Sequence, residues 1–223
     1  MRALSVITLL AALILPTDAF AEVQTITATH TYLMGDNDSR NDARQLCFLQ
    51  AKREVLEKAE SFIQSHSVIN NFELTKDQMT SYSAAVLSVE IVKEDVGVSN
   101  GHNTLTLTVK ADVDVDQVNT LLAAIVADKN LADRVAQQQQ QIREREEQVQ
   151  TLNSRLSVAI PGAARELRKE RTVVFENIAG LDRIQLTATE RIAREQETIQ
   201  QKTEMILKYV LRDMTPQEVL SLV

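Results

Sequence analysis

Apolar and polar positions change rhythm once along this chain. In the run QTITATHTYLM (residues 24–34), Ile26, Ala28, Tyr32 and Met34 fall on one face and Thr25, Thr27, Thr29 and Thr31 on the other. His30 interrupts the apolar side. Such a period of two predicts a half-buried strand. Gly35-Asp36-Asn37-Asp38-Ser39 ends it, and a helix is expected from about 39 to 64, with Ser39 as N-cap and Asp42 three residues on. Its apolar stripe, Ala43, Cys47, Ala51, Val55, Ala59 and Phe62, is widened by Leu46, Phe48 and Ile63 and suits packing on a sheet. Asn70-Asn71 marks a turn, and Thr75-Lys76-Asp77-Gln78 suits the cap of a single helical turn. A second strand is expected over 84–92, with Ala85, Leu87, Val89 and Ile91 on one face. Ser99-Asn100-Gly101-His102-Asn103 is a hairpin signal. The run TLTLTVKADVDVD then alternates cleanly. Leu105, Leu107, Val109, Ala111, Val113 and Val115 face one way, opposite Thr104, Thr106, Thr108, Lys110, Asp112, Asp114 and Asp116. One face is therefore buried and one wet. The expected order over residues 22–117 is β-α-β-β, an α+β head with one helix packed on a small antiparallel sheet.

After Gln117 the period becomes about 3.5. Leu121, Val135, Ile142, Val149 and Leu156 share one heptad position, with Ala124, Leu131, Leu152 and Ala159 three residues later; Asp128, Gln138 and Arg145 spoil the seam. Ile160-Pro161-Gly162 interrupts the pattern, because proline disfavours helix before it and donates no hydrogen bond. A second limb runs from about 163 to 212. Ile178, Ile192, Ile199 and Ile206 repeat there, with Leu181, Ala188 and Tyr209 three later and Gln185, Glu195 and Lys202 as polar intrusions. Thr215-Pro216-Gln217-Glu218 reads as the start of a short last helix over 215–223. Residues 118–214 thus form a long helical arm broken at 160–162. It is either an antiparallel αα-hairpin or a kinked coiled-coil rod that dimerises along its length. A narrow apolar stripe on a long helix needs a partner helix. Leu121, Val135, Ile142, Val149, Leu156, Ile178, Ile192, Ile199 and Ile206 are the residues expected to carry self-association. The glutamine run 137–141 reads as a polar helix segment.

Composition narrows the function. Of 223 residues only 5 are Gly and 3 Pro, with no Trp, which leaves few turns for a many-stranded sandwich or for a loop-built active site. Residues 1–21, MRALSVITLLAALILPTDAFA, carry Arg2, an apolar stretch from Leu4 to Leu15 and an Ala19-Phe20-Ala21 cleavage pattern. That is the form of a cleaved secretory signal. The expected location is periplasmic or extracellular, with no transmembrane span. The lone Cys47 permits no internal disulfide and is expected to be buried. Residues 22–117 hold 8 basic and 15 acidic groups, whereas 118–223 hold 15 of each. An acidic head disfavours nucleic acid and anionic lipid as partners.

No motif carries chemistry. Asp36, Asp38 and Asp42 faintly resemble a Ca²⁺ loop, but the places needing Gly and Glu hold Asn41 and Cys47, so helix capping is preferred. His30, His66 and His102 lack metal-ligand spacing. No nucleophile elbow, phosphate loop or H-E-x-x-H occurs. Catalytic, cofactor and metal residues are expected to be none. Lys110, Asp112, Asp114 and Asp116 line the wet strand face, either for partner contact or, alternatively, for capture of a cation or basic ligand.

Several shared elements now stand together: Ala43-Arg44, Ala51-Lys52-Arg53, the Ser-x-Val-x-x-Asn at 65–70, the Leu-Thr-x-Asp at 74–77 and the final V-x-x-x-V strand. On these, residues 23–116 resemble the N-terminal domain of the flagellar assembly protein FlgT family and LPP20-type modules of bacterial envelope proteins. Glu60 and Ala85 stand where such modules usually carry Gly. The resemblance implies envelope assembly or scaffolding and no catalytic residues. A non-enzymatic assembly protein of the cell envelope is therefore expected, binding a protein partner through the head and self-associating or reaching through the arm. A periplasmic ligand- or cation-binding adaptor is the alternative.

Overall fold

The computed structural model describes residues 23–66 and 74–213. The expected signal at 1–21, the turn at Asn70-Asn71 and the short helix at 215–223 lie outside the described residues. The elements are β1 (Val23–Leu33), α1 (Arg40–His66), α2 (Lys76–Val86), β2 (Val89–Ser99), β3 (His102–Asp114), α3 (Val115–Ala127), α4 (Lys129–Leu156) and α5 (Pro161–Asp213). The fold is mixed: one small antiparallel sheet of order β1-β3-β2 and five helices, with a long helical region after the sheet.

Alternation in β3 is followed closely. Leu105, Leu107, Val109, Ala111 and Val113 are fully buried. They meet α1, where Ala43 and Cys47 pack on Leu105 and Leu107, and Ala51 and Val55 pack on Val109, Ala111 and Ala28. Asn100 (φ 51°) and Gly101 (φ 81°) form the tight turn between β2 and β3, a left-handed pair suited to a two-residue hairpin. Helix α1 begins as its cap predicts: the Ser39 hydroxyl accepts from the Asp42 amide (3.1 Å), and the Asp42 carboxylate accepts from the Ser39 amide (3.1 Å).

Three expectations fail for local reasons. The segment at 84–86, read as the start of a strand, ends α2, so a second helix stands between α1 and the hairpin. Thr75 and Gln78 make both halves of a capping box, and the helix they start carries Tyr82 and Ala85 into the core. Small residues in sequence mimicked a period of two. The third strand stops at Asp114, whose carboxylate turns to accept from the Gln117 amide (3.0 Å) and so makes Val115 and Asp116 helical. The single rod expected over 118–159 is divided at Asp128, which accepts from the amides of Asn130 (2.9 Å) and Leu131 (3.2 Å) and starts α4 afresh.

Helices α4 and α5 pack side by side. Asn153 meets Arg171 and Gln139 meets Gln185, so the two run in opposite directions. They do not stand apart from the sheet layer. Leu46 and Leu49 of α1 share one core with Val149, Leu152 and Leu156 of α4 and Phe175 and Ile178 of α5. Ala59, Ile63, Tyr82, Ala85 and Val113 share another with Val118, Leu122 and Ile125 of α3 and Val135 of α4.

Candidate functional site: interaction surfaces

The sheet turns one face to α1 and leaves the other open. On the open face threonines run along two neighbouring strands. The Thr29 and Thr108 hydroxyls lie 2.9 Å apart, and those of Thr31 and Thr106 2.8 Å apart. Thr25 donates to Asp112 (2.6 Å). Lys110 lies beside Asp112 (2.6 Å) and Glu90 (3.6 Å). Hydrogen bonding to Lys110, then to Thr25, holds the Asp112 carboxyl below its ordinary range; the hydrogen bond to Asp112 pushes the Lys110 ammonium up.

Of the four residues expected to present this face, Lys110 and Asp112 are brought together. Asp114 is spent on the cap of α3 and Asp116 lies in that helix's first turn. The surface is thus a hydroxyl-rich sheet with internally paired charge, not an acidic array. Among the described residues no three His, Cys, Asp or Glu gather as a metal site.

A buried polar junction fastens the helices to the head. Arg171 of α5 is fully buried, and its guanidinium reaches Asp38 (2.9 Å), Asp42 (3.3 Å) and Asn153 (2.6 Å). Asp38 also accepts from the Tyr32 hydroxyl (2.7 Å) and the Gly35 amide (2.9 Å). Burial, followed by the hydrogen bond to Asp38, pushes the Tyr32 phenol up to about 12. The Nε of Arg171 is buried without a partner. Removing either partner of such a buried pair leaves an uncompensated charge, a loss of about 3–5 kcal/mol. Nothing in the sequence marked Arg171; Asp38 and Asp42 were singled out, but as a faint Ca²⁺ loop and for helix capping. Lys52 and Asp182 add a second tie at 2.7 Å.

Cys47 is fully buried, its thiol directed at the carbonyls of His30 (3.2 Å) and Leu105 (3.4 Å). Burial pushes this thiol up, away from the reactive thiolate.

The nine heptad residues divide sharply. Leu121, Val135, Ile142, Val149, Leu156 and Ile178 are buried against their own chain. Their apolar surface is covered within the chain. The polar intrusions serve the same packing: Gln138 donates to the Leu181 carbonyl (3.1 Å), and Gln139 donates to Gln185 (2.7 Å). Ile192 is half-buried beside Leu121 and Val135. Ile199 and Ile206 are 56% and 60% exposed. From Glu197 to Lys208 every residue of α5 is exposed, and Met205 and Leu207 add to the bare apolar surface. No described helix is long and apolar enough to cross a membrane.

No family model matches the chain, and no curated protein or solved structure matches it.

Proposed function

We propose that this protein is a non-enzymatic assembly or scaffold component of the bacterial cell envelope, exported to the periplasm. In this reading the open threonine face of the sheet receives a protein partner, and the helical arm works as an αα-hairpin whose longer limb projects for self-association. One observation carries it. The apolar stripe of α5 continues through Ile199, 56% exposed across an open groove from Leu121 of α3, to Ile206, 60% exposed. A bare amphipathic segment of this length is marginal alone in water and gains its stability from a partner. The secretory pattern of residues 1–21 supports the compartment. The resemblance of residues 23–116 to FlgT and LPP20-type modules supports the role.

Sedimentation over a wide concentration range tests the reading. The unmodified protein is expected to gain mass with concentration. A variant carrying Ile199→Ser and Ile206→Ser is expected to stay monomeric with an unchanged circular dichroism spectrum. A monomer at all concentrations would end self-association through the limb.

A further inference from the structure

We propose that the turn between α4 and α5, with the adjoining end of the sheet, is a contact site for an anionic lipid bilayer surface. This end lies opposite the projecting limb, and the proposal stands independently of self-association. Val158 and Ile160 are 84% and 73% exposed, the two barest large apolar side chains among those described. They lie two residues apart in the turn between α4 and α5. Leu33 (54% exposed) lines the same open cleft of about 600 Å³ as Val158, together with Met34, Asn153 and His102. Val98, 71% exposed, sits across from Asn103, whose carbonyl accepts from the Met34 amide (2.9 Å). Two turns and a strand end thus bring bare apolar groups to one end of the molecule.

No charged residue occurs between Leu156 and Ala164. The Ala159 amide donates to the Leu156 carbonyl (3.2 Å) and the Ala164 amide to the Ile160 carbonyl (2.9 Å). Pro161 has no amide hydrogen to satisfy. Ile160 stands at the N-cap of α5, where a side-chain oxygen is usual. A local rule broken in this way is a mark of a site under functional demand.

Charge decides the partner. Arg155, Arg165, Arg168 and Lys169 flank the turn against Glu166 and Glu170, of which Glu166 pairs with Lys169 (2.9 Å). Asp36, a further exposed carboxylate, lines the cleft beside the buried Asp38. The whole chain is net −7, yet the four cations at this end outnumber Glu166, Glu170 and Asp36 by one. The expectation that anionic lipid is disfavoured followed from an average over the head and does not describe the turn. An exposed apolar turn flanked by Arg155 and Arg165 matches the boundary between acyl chains and acidic headgroups, where apolar groups enter by about 5–10 Å and flanking cations stay in the headgroups. With no described helix able to span the bilayer, the contact is peripheral.

The chain has no tryptophan, so Val158→Trp places a single reporter on the turn. Its emission is expected to shift to the blue with phosphatidylglycerol-rich vesicles and to stay unchanged with phosphatidylcholine alone. Co-sedimentation of the unmodified protein with phosphatidylglycerol vesicles is expected to fall by at least about tenfold on Val158→Ser with Ile160→Ser. It should fall roughly fivefold for each of Arg155→Gln and Arg165→Gln. Binding should also weaken in 1 M salt, where screening acts within about 3 Å. All four positions are exposed, so the fold is expected to survive each change. An unshifted reporter, or equal sedimentation of the serine variant, would overturn the proposal. So would a lipid-free dimer abolished by the serine changes, since the turn would then be a contact between copies.

Discussion

Helix α5 holds two regions of one design and opposite circumstance. Leu167, Val174, Ile178 and Gln185 lie along a stripe buried against α4 and the head, and the same stripe runs on through Ile199, across an open groove from α3, to the exposed Ile206. Helix α5 has 53 residues and spans about 80 Å, whereas α4 has 28 and spans about 42 Å. The difference teaches that a heptad pattern states a need for cover without saying who supplies it. In the first region the need is met within the chain and reinforced by Arg171. In the second it is left open.

The largest expected effect tests what fixes the covered region. Arg171→Ala removes the cation between Asp38 and Asp42 and is expected to lower unfolding free energy by about 3–5 kcal/mol, read from the urea midpoint. A loss under about 1 kcal/mol would mean that the apolar core alone holds the region. Next comes a paired measurement across the boundary. Leu152→Ala, in the core shared by α4 and α5, should cost about 2–5 kcal/mol. Leu207→Ala, half exposed on the limb, should leave the dilute protein within about 0.5 kcal/mol of its original stability. Equal losses would erase the distinction between the two regions.

A smaller effect follows from pH. Because the Tyr32 phenol titrates near 12 when folded against 10 when free, the folded state keeps a proton that the unfolded state gives up. The contribution is therefore complete below pH 10 and is lost as pH rises from 10 through 12, by less than about 2.7 kcal/mol because water screens the partly exposed phenol. Tyr32→Phe should flatten that part of the stability profile. An unchanged slope would show that the junction does not hold the phenol.

Much of this was readable from residue order. The clean alternation of Leu105 to Val113 and the Ser39–Asp42 cap predicted β3 and the start of α1. The Asn100-Gly101 pair predicted the hairpin. What escaped was decided by single polar side chains. Asp114 and Asp128 look, in sequence, like a strand-face charge and a seam defect; each is a cap that ends one element and begins another. Arg171 escaped because its partners lie 133 and 129 positions away, a distance over which periodicity carries no information. Of the expected self-association residues only Ile199 and Ile206 stayed bare, since sequence cannot tell a stripe used at home from one offered abroad. The apolar turn was noted only as a break in the helix pattern.

The junction has a consequence in time. Thr25 of β1 bonds to Asp112, 87 residues later, and Asp38 waits for Arg171, 133 residues later. A chain that emerges from its N-terminus cannot complete its first strand until β3 arrives, nor neutralise Asp38 until α5 has formed. Such long-range closures slow folding and lengthen the period in which partly built states are exposed. The acidic first half is thus expected to persist as an open, self-repelling chain until the second half is present to close it.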